Sequence, residues 1–215
     1  MKIPTELIVL GHTPFGENSV VLHTLSRAFG RRGLLVRTGP KTPMALFLPL
    51  NLLEGDLIEN PKSALWRVGN LSSCAPLTGI RNNYSKNAIS LFLSEVLFRV
   101  VKEGTSEEGL FDWCWRSILT LDALPADYSN FHVRFLLELA MELGFQPAAE
   151  DLAPFLGGQV DTVRRILTAS FSEAMLIPLS GTLRSDLCEG ILRYLEFHTD
   201  SAINVRSLAV LRELF

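Results

Sequence analysis

Between Thr13 and Lys41 the chain gathers its densest group of cations. Arg31 and Arg32 stand in Gly30-Arg31-Arg32-Gly33, and Arg37 and Lys41 close the segment Arg37-Thr38-Gly39-Pro40-Lys41. A guanidinium or ammonium group can neutralise a phosphate, and neighbouring glycine lets backbone approach a partner closely, so the pattern suits a nucleic-acid backbone. Ordinary solvated hairpin loops have the same composition, which leaves a second reading open.

Patterns that would support catalysis are missing. His12, His23, His132 and His198 are scattered, with neither Cys-x-x-Cys nor His-x-x-x-His spacing to gather a metal. The chain has no G-x-x-x-x-G-K-[ST] or G-x-G-x-x-G phosphate loop and no G-x-S-x-G nucleophile elbow. Glu54 and Asp56 flank Gly55 and read as solvated turn residues rather than an acid–base pair. A protein that works by binding is expected, and no cofactor.

The cations need strands to hold them. Ser19 to Thr24 is β-branched or apolar after turn-prone Gly16 and Asn18, and Leu34 to Val36 is a second such run, so the arginines are expected in loops at strand ends. Glu6 to Gly11 reads as an earlier strand that turns at His12 to Glu17. Ala45 to Leu50, Asn51 to Glu59 and Ala64 to Val68 read as later ones, with Pro49 excluding a fully paired central strand. About five short strands with Gly and Pro between them fit a small OB-fold barrel. A small open sandwich competes with it.

Beyond the polar connection Gly69 to Ser85 the apolar period lengthens to about 3.6. Ala88 to Val100 is a helix, and Thr105-Ser106-Glu107-Glu108 is a capping box for the next, whose Phe111, Trp113 and Trp115 are core residues by their spacing. A third helix follows Pro125 and stops at Gly144, with His132 at the edge of its buried stripe. Gln146 to Gly158 reads as a loop, and helical pattern resumes over 160–169, 172–177, 182–198 and 205–214. The fold class is therefore α+β in two domains: an OB-fold barrel over 1–82 and an all-α domain of six or seven helices over 83–215.

Composition agrees with a folded chain of this kind: 215 residues, 47% hydrophobic and 20% charged. No run approaches 18 apolar residues and the first residues have no signal-peptide pattern, so no membrane role and a cytoplasmic location are expected. Cys74, Cys114 and Cys188 are far apart among apolar neighbours and read as buried, reduced thiols. The net charge of −3 hides an asymmetry: residues 1–87 balance at +5 and the remainder at −8. The basic part suits a polyanion, and the acidic part suits either solubility or a basic protein.

Several segments resemble a known family in order. Gly16-Glu17-Asn18-Ser19, Leu25-Ser26, Phe29-Gly30, Arg37 to Lys41 and Leu48-Pro49-Leu50 are similar to the N-terminal OB domain of the bacterial recombination mediator RecO. Ser94 to Leu97, Leu110-Phe111, Asn130-Phe131, Phe135 to Leu137, Leu143-Gly144-Phe145-Gln146-Pro147 and Ser207 to Leu211 continue the resemblance through the helical part.

The resemblance implies a non-enzymatic, nucleoid-associated repair factor. It would bind single- and double-stranded DNA, anneal complementary strands, and help load RecA, with RecR, onto DNA coated by single-strand-binding protein. Arg31, Arg32, Arg37 and Lys41 would hold phosphates, with Arg67 and Arg81 extending the track. The helical domain would offer an apolar groove to a partner peptide such as the acidic, Phe-ending tail of single-strand-binding protein. Many relatives carry a four-cysteine zinc module after the Leu-Gly-Phe-x-Pro segment. Ala148 to Gly158 contains no cysteine here, so zinc is not expected. The competing functions are an OB-fold protein adaptor that never touches DNA, and a nuclease or ligase component.

Overall fold

The computed structural model describes residues 2–40, 42–104 and 108–215. Strands β1 (Lys2–Pro14), β2 (Ser19–Ser26), β3 (Gly30–Arg37), β4 (Leu52–Ile58) and β5 (Trp66–Ser73) close into a barrel in the order β1-β2-β3-β5-β4. All pairs are antiparallel except β3 with β5. The five-stranded OB-type barrel expected from the sequence is present, and the open sandwich is excluded. Leu7, Val9, Val20, Leu22, Leu34, Phe47, Leu53, Leu57 and Trp66 fill it.

β1 runs past Gly11 through His12, Thr13 and Pro14, which the sequence reads as a turn. The length follows from closure: one strand must serve both β4, through Lys2 to Ile8, and β2, through Leu7 to Pro14. An irregularity between Val9 and Gly11 bends it from one partner to the other.

Two further strand expectations are corrected. Ala45 to Leu50 is no strand: Met44–Phe47 forms a 3-10 turn that inserts Phe47 into the core, and the Asn51 amide donates to the carbonyls of Ala45 and Leu46 at 2.6 and 3.1 Å. Those bonds give a tight turn the partners that a ladder would otherwise supply. Gly69 to Ser73, a polar connection by composition, belongs to β5, and Glu54 and Asp56, turn residues by composition, lie in β4. Ser72 donates to Glu54 and Asn70 donates to Asp56, so cross-strand bonds hold polar residues in both strands.

After the barrel come α1 (Thr78–Arg81), α2 (Tyr84–Val100), α3 (Glu108–Ala123), α4 (Phe131–Glu142), α5 (Ala149–Leu156), α6 (Val160–Thr168), α7 (Phe171–Leu176), α8 (Gly181–Thr199) and α9 (Leu208–Leu214). By their contacts, Met1–Thr78 with Val101–Ile118 form one compact unit, and Gly79–Val100 with Leu119–Phe215 form a second. Thr105, Ser106 and Glu107 of the expected capping box lie outside the described residues.

Gln146 to Gly158 is not a loop throughout, because α5 occupies its middle. Ala149, Leu152 and Leu156 recur at helical spacing and are buried, and Gly157 ends the helix in the left-handed region at φ 56°. The third helix begins later than Pro125 suggests. Asn130 is buried; its amide donates to the carbonyls of Ala174, Met175 and Ile177, and its own oxygen accepts from Arg184. These tertiary bonds outweigh the local preference for a helix start at Ala126.

His132 is fully buried rather than at a core edge, set between the rings of Phe92 and Phe215 with centroids 6.1 and 5.7 Å away. Of the three cysteines only Cys114 and Cys188 are buried, because Cys74 follows the exposed end of β5.

Gly79 sits where a Cβ would lie 2.0 Å from the Asp122 carbonyl oxygen, while Asp122 also accepts from the Ile80 amide. Gly79→Ala must push backbone apart. It is expected to destabilise the fold by about 3 kcal/mol in urea unfolding, and a change within about 0.5 kcal/mol, the size usual for a neutral surface substitution, would show that the contact relaxes freely.

Candidate nucleic-acid interface

Arg31 and Arg32 do not lie in an entry loop. Both are in β3, opposite Leu25 and Thr24 of β2. A hairpin turn at Arg27 to Phe29, released through Gly30 at φ 64°, starts the strand earlier than the charge pattern suggests. Arg31 and Arg37 are therefore at opposite ends of one strand, about 20 Å apart at the rise of extended chain.

Alternation in β3 gives the arginines different surroundings. Leu34 and Val36 face the core, which puts Arg32 on the inner side of the strand, where its guanidinium stacks on Trp66 at 4.9 Å from the ring centroid. Its Nε is buried without a hydrogen-bond partner. Arg31 is half-buried on the outer side, and its Nε donates to the carbonyl of Val101 at 2.7 Å. Arg27, left outside the expected site, donates to Glu6 at 2.6 Å and to Asp112 and lies over the Phe111 ring. These three cations make internal contacts within the barrel unit.

Arg37 and Arg67 are different. Both are exposed and on the outer side, since Trp66 and Val68 turn inward on either side of Arg67. Arg67 is beside Leu35 in the parallel β3–β5 pairing, two residues from Arg37 on the same face of β3. The strand ladder thus makes neighbours of two cations that are 30 positions apart in the chain. Lys41 lies outside the described residues. Arg81 belongs to the second unit, donates to Asn87 at 3.0 Å, and has its pKa lowered, mainly by burial.

The same outer face carries residues that charge counting overlooks. His23 pairs with Gly33, and its Nε2 is 2.9 Å from the Thr13 hydroxyl. Burial foremost, then the Arg31 cation, lowers its pKa, so it is neutral at pH 7. Leu65 packs over Gly33, where an added Cβ would meet its Cδ2 at 2.9 Å. Phe47 and Trp66 are core, as their apolar neighbours suggest, and Phe29 packs against that core, but Phe15 is 52% exposed.

In the second unit a cleft of about 320 Å³ is lined by Leu192, Ile203, Val205 and Leu208, with Glu189, Arg193 and Glu196 among its polar residues. Glu189 is paired with Arg212, and Glu196 accepts from the Ile203 amide at 2.7 Å. Both carboxylates at this cleft are already engaged. Among the described residues no group of three or more His, Cys, Asp or Glu is placed to hold a metal, and no helix is long and apolar enough to cross a membrane.

An OB-type barrel with exposed cations on its outer strands, followed by a helical region, defines the chain as a two-part α+β protein. The family described as Recombination protein O C terminal matches residues 81–153. Over 97% of both chains this sequence is 29% identical to the DNA repair protein RecO of Bacteroides fragilis. It is 29% identical to that of Christiangramia forsetii and 24% to that of Azobacteroides pseudotrichonymphae, each over the full length of both chains. The resemblance to the RecO family read from the sequence thus holds from end to end.

Proposed function

We propose that this chain is a recombinational repair mediator that works by binding and not by catalysis. It grips single- and double-stranded DNA on the outer face of β3 and β5, anneals complementary strands, and assists RecR in loading RecA onto strands coated by single-strand-binding protein. Residues 1–82 are the nucleic-acid part and residues 83–215 the partner-binding part, acting in the cytoplasm at the nucleoid. The observation that carries this reading is the pair Arg37 and Arg67, adjacent and exposed on one face of the barrel. The relatives' names supply the repair context.

The phosphate contacts are assigned to Arg37 and Arg67, with Lys41, four positions after Arg37 in the sequence, as a third. Arg31 and Arg32 are assigned to the barrel unit itself, because their side chains meet Val101 and Trp66. The cleft at Leu192 and Ile203 is the proposed seat for a partner's apolar end residue, such as the terminal Phe of the single-strand-binding protein tail, with Arg193 facing its acids.

The test is a salt titration of binding to labelled single-stranded DNA, followed by annealing of complementary strands with Mg²⁺ present. Affinity falling with a log-log slope of several units, with annealing and no cleavage, is expected. No binding at low salt would leave the adaptor reading, and cleavage the nuclease one. Arg31→Ala is expected to keep the wild-type salt slope while lowering stability by about 1.5 kcal/mol, since the Val101 carbonyl loses a charged donor. A shallower slope in that variant would return Arg31 to the DNA track.

A further inference from the structure

The exposed Phe15 sits in register with the phosphate contacts. Its amide donates to the Ser19 carbonyl at 2.8 Å, closing the β1–β2 hairpin, and Ser19 is paired with Arg37. Phe15, Ser19 and Arg37 therefore form one row across three successive chain segments. Thr13 pairs with Val21, Val21 with Leu35, and Leu35 with Arg67, which makes the adjacent row. The Thr13–His23 bond places these odd-numbered positions on the outer side, opposite the Val20 and Leu22 that fill the core. With strands about 5 Å apart, Phe15 stands about 10 Å from the Arg37 backbone.

The tip that carries Phe15 is tied down. The Thr38 amide donates to the Asn18 carbonyl at 3.0 Å, which links the hairpin to the segment after β3. That segment is braced by bonds between Gly39 and Thr42 in both directions, at 2.9 Å each. Gly16 makes the turn at φ 71°, a conformation that suits glycine. A ring held beside two phosphate-binding cations is the arrangement that single-strand binders use, because every base has a face to stack and a duplex keeps its bases enclosed.

We infer that Phe15 is a base-stacking platform that gives this barrel a preference for unpaired over paired DNA. The inference rests on the DNA-binding reading above and specifies its substrate: a strand whose backbone runs along Arg37 and Arg67 turns a base toward Phe15.

The experiment uses the full chain and fluorescein-labelled oligo(dT), with a mixed-sequence duplex of equal length, in anisotropy titrations over a salt series. Phe15→Ala is expected to weaken oligo(dT) binding about 5- to 150-fold, the range spanned by loss of one stacked base. Duplex affinity and both salt slopes should stay at wild-type values, because no charge is removed. Phe15→Trp should restore the single-strand affinity, and a strand of abasic sites should bind wild type and Phe15→Ala alike. An equal loss on strand and duplex, or no loss on oligo(dT), overturns the inference while leaving the DNA reading intact. Wild type that binds neither probe at low salt overturns both.

Discussion

Replacing Arg37 and Arg67 together by alanine is expected to make the salt dependence of single-strand binding shallower by about 1.4 log units per log unit of salt, given about 0.7 for each phosphate released from contact. Between 50 and 200 mM salt this removes about a sevenfold sensitivity, and affinity at the lower salt should itself drop by about tenfold. Both side chains are exposed, so the thermal midpoint of the double variant should match wild type. Matched melting curves with a changed slope would identify these two residues as backbone contacts. An unchanged slope would remove the central assignment, whatever the fate of Phe15.

The second large effect is on stability against acid. His132 is buried between Phe92 and Phe215, and its pKa is lowered to about 3, by burial first and by the Arg184 cation second. The unfolded chain binds a proton at this histidine from about pH 6.5 downward, whereas the folded chain refuses it until near pH 3. The folded-state value is the lower one, so the contribution is complete above pH 6.5 and is lost progressively as pH falls toward 3. At pH 4.5 the loss amounts to about 2.7 kcal/mol, two pKa units of difference.

His132→Phe keeps a ring in the aromatic stack, removes the unpartnered Nδ1 and abolishes the titration. Urea unfolding at pH 7.5 and 4.5 should show the variant gaining about 2.7 kcal/mol on wild type between the two conditions. Carboxylates shared by both proteins, such as Glu95 with its pKa lowered by bonds from Ser207 against the effect of burial, cancel in that comparison. A difference independent of pH would mean that His132 accepts its proton in the folded state.

The barrel and its helical successor were legible because each rests on a local pattern. The β-branched and apolar run from Ser19 to Thr24, and the helical stripe through Phe131, Phe135 and Leu139, survive as elements. Misreadings fall where side-chain bonds or barrel closure override local preference. Asn130 delays a helix by holding three carbonyls of a distant turn, and Asn51 turns an apolar run into a 3-10 turn. Closure of the barrel extends β1 through His12, Thr13 and Pro14, which composition alone assigns to a turn.

The candidate site divides in the same way. That the first 87 residues are basic, and that no catalytic spacing exists, are properties of the linear chain and stand without coordinates. Which cations share a surface is a property of strand register: a shift of one residue would exchange Arg32 with Arg31 and turn Arg37 toward the core. Pairing of β3 with β5 made Arg67 a neighbour of Arg37, and closure of the first hairpin left Phe15 beside them in solvent. The sequence determined the kinds of group this protein can present. The tertiary structure decided which of them meet, because adjacency across a barrel depends on hydrogen bonds between strands that no local pattern encodes.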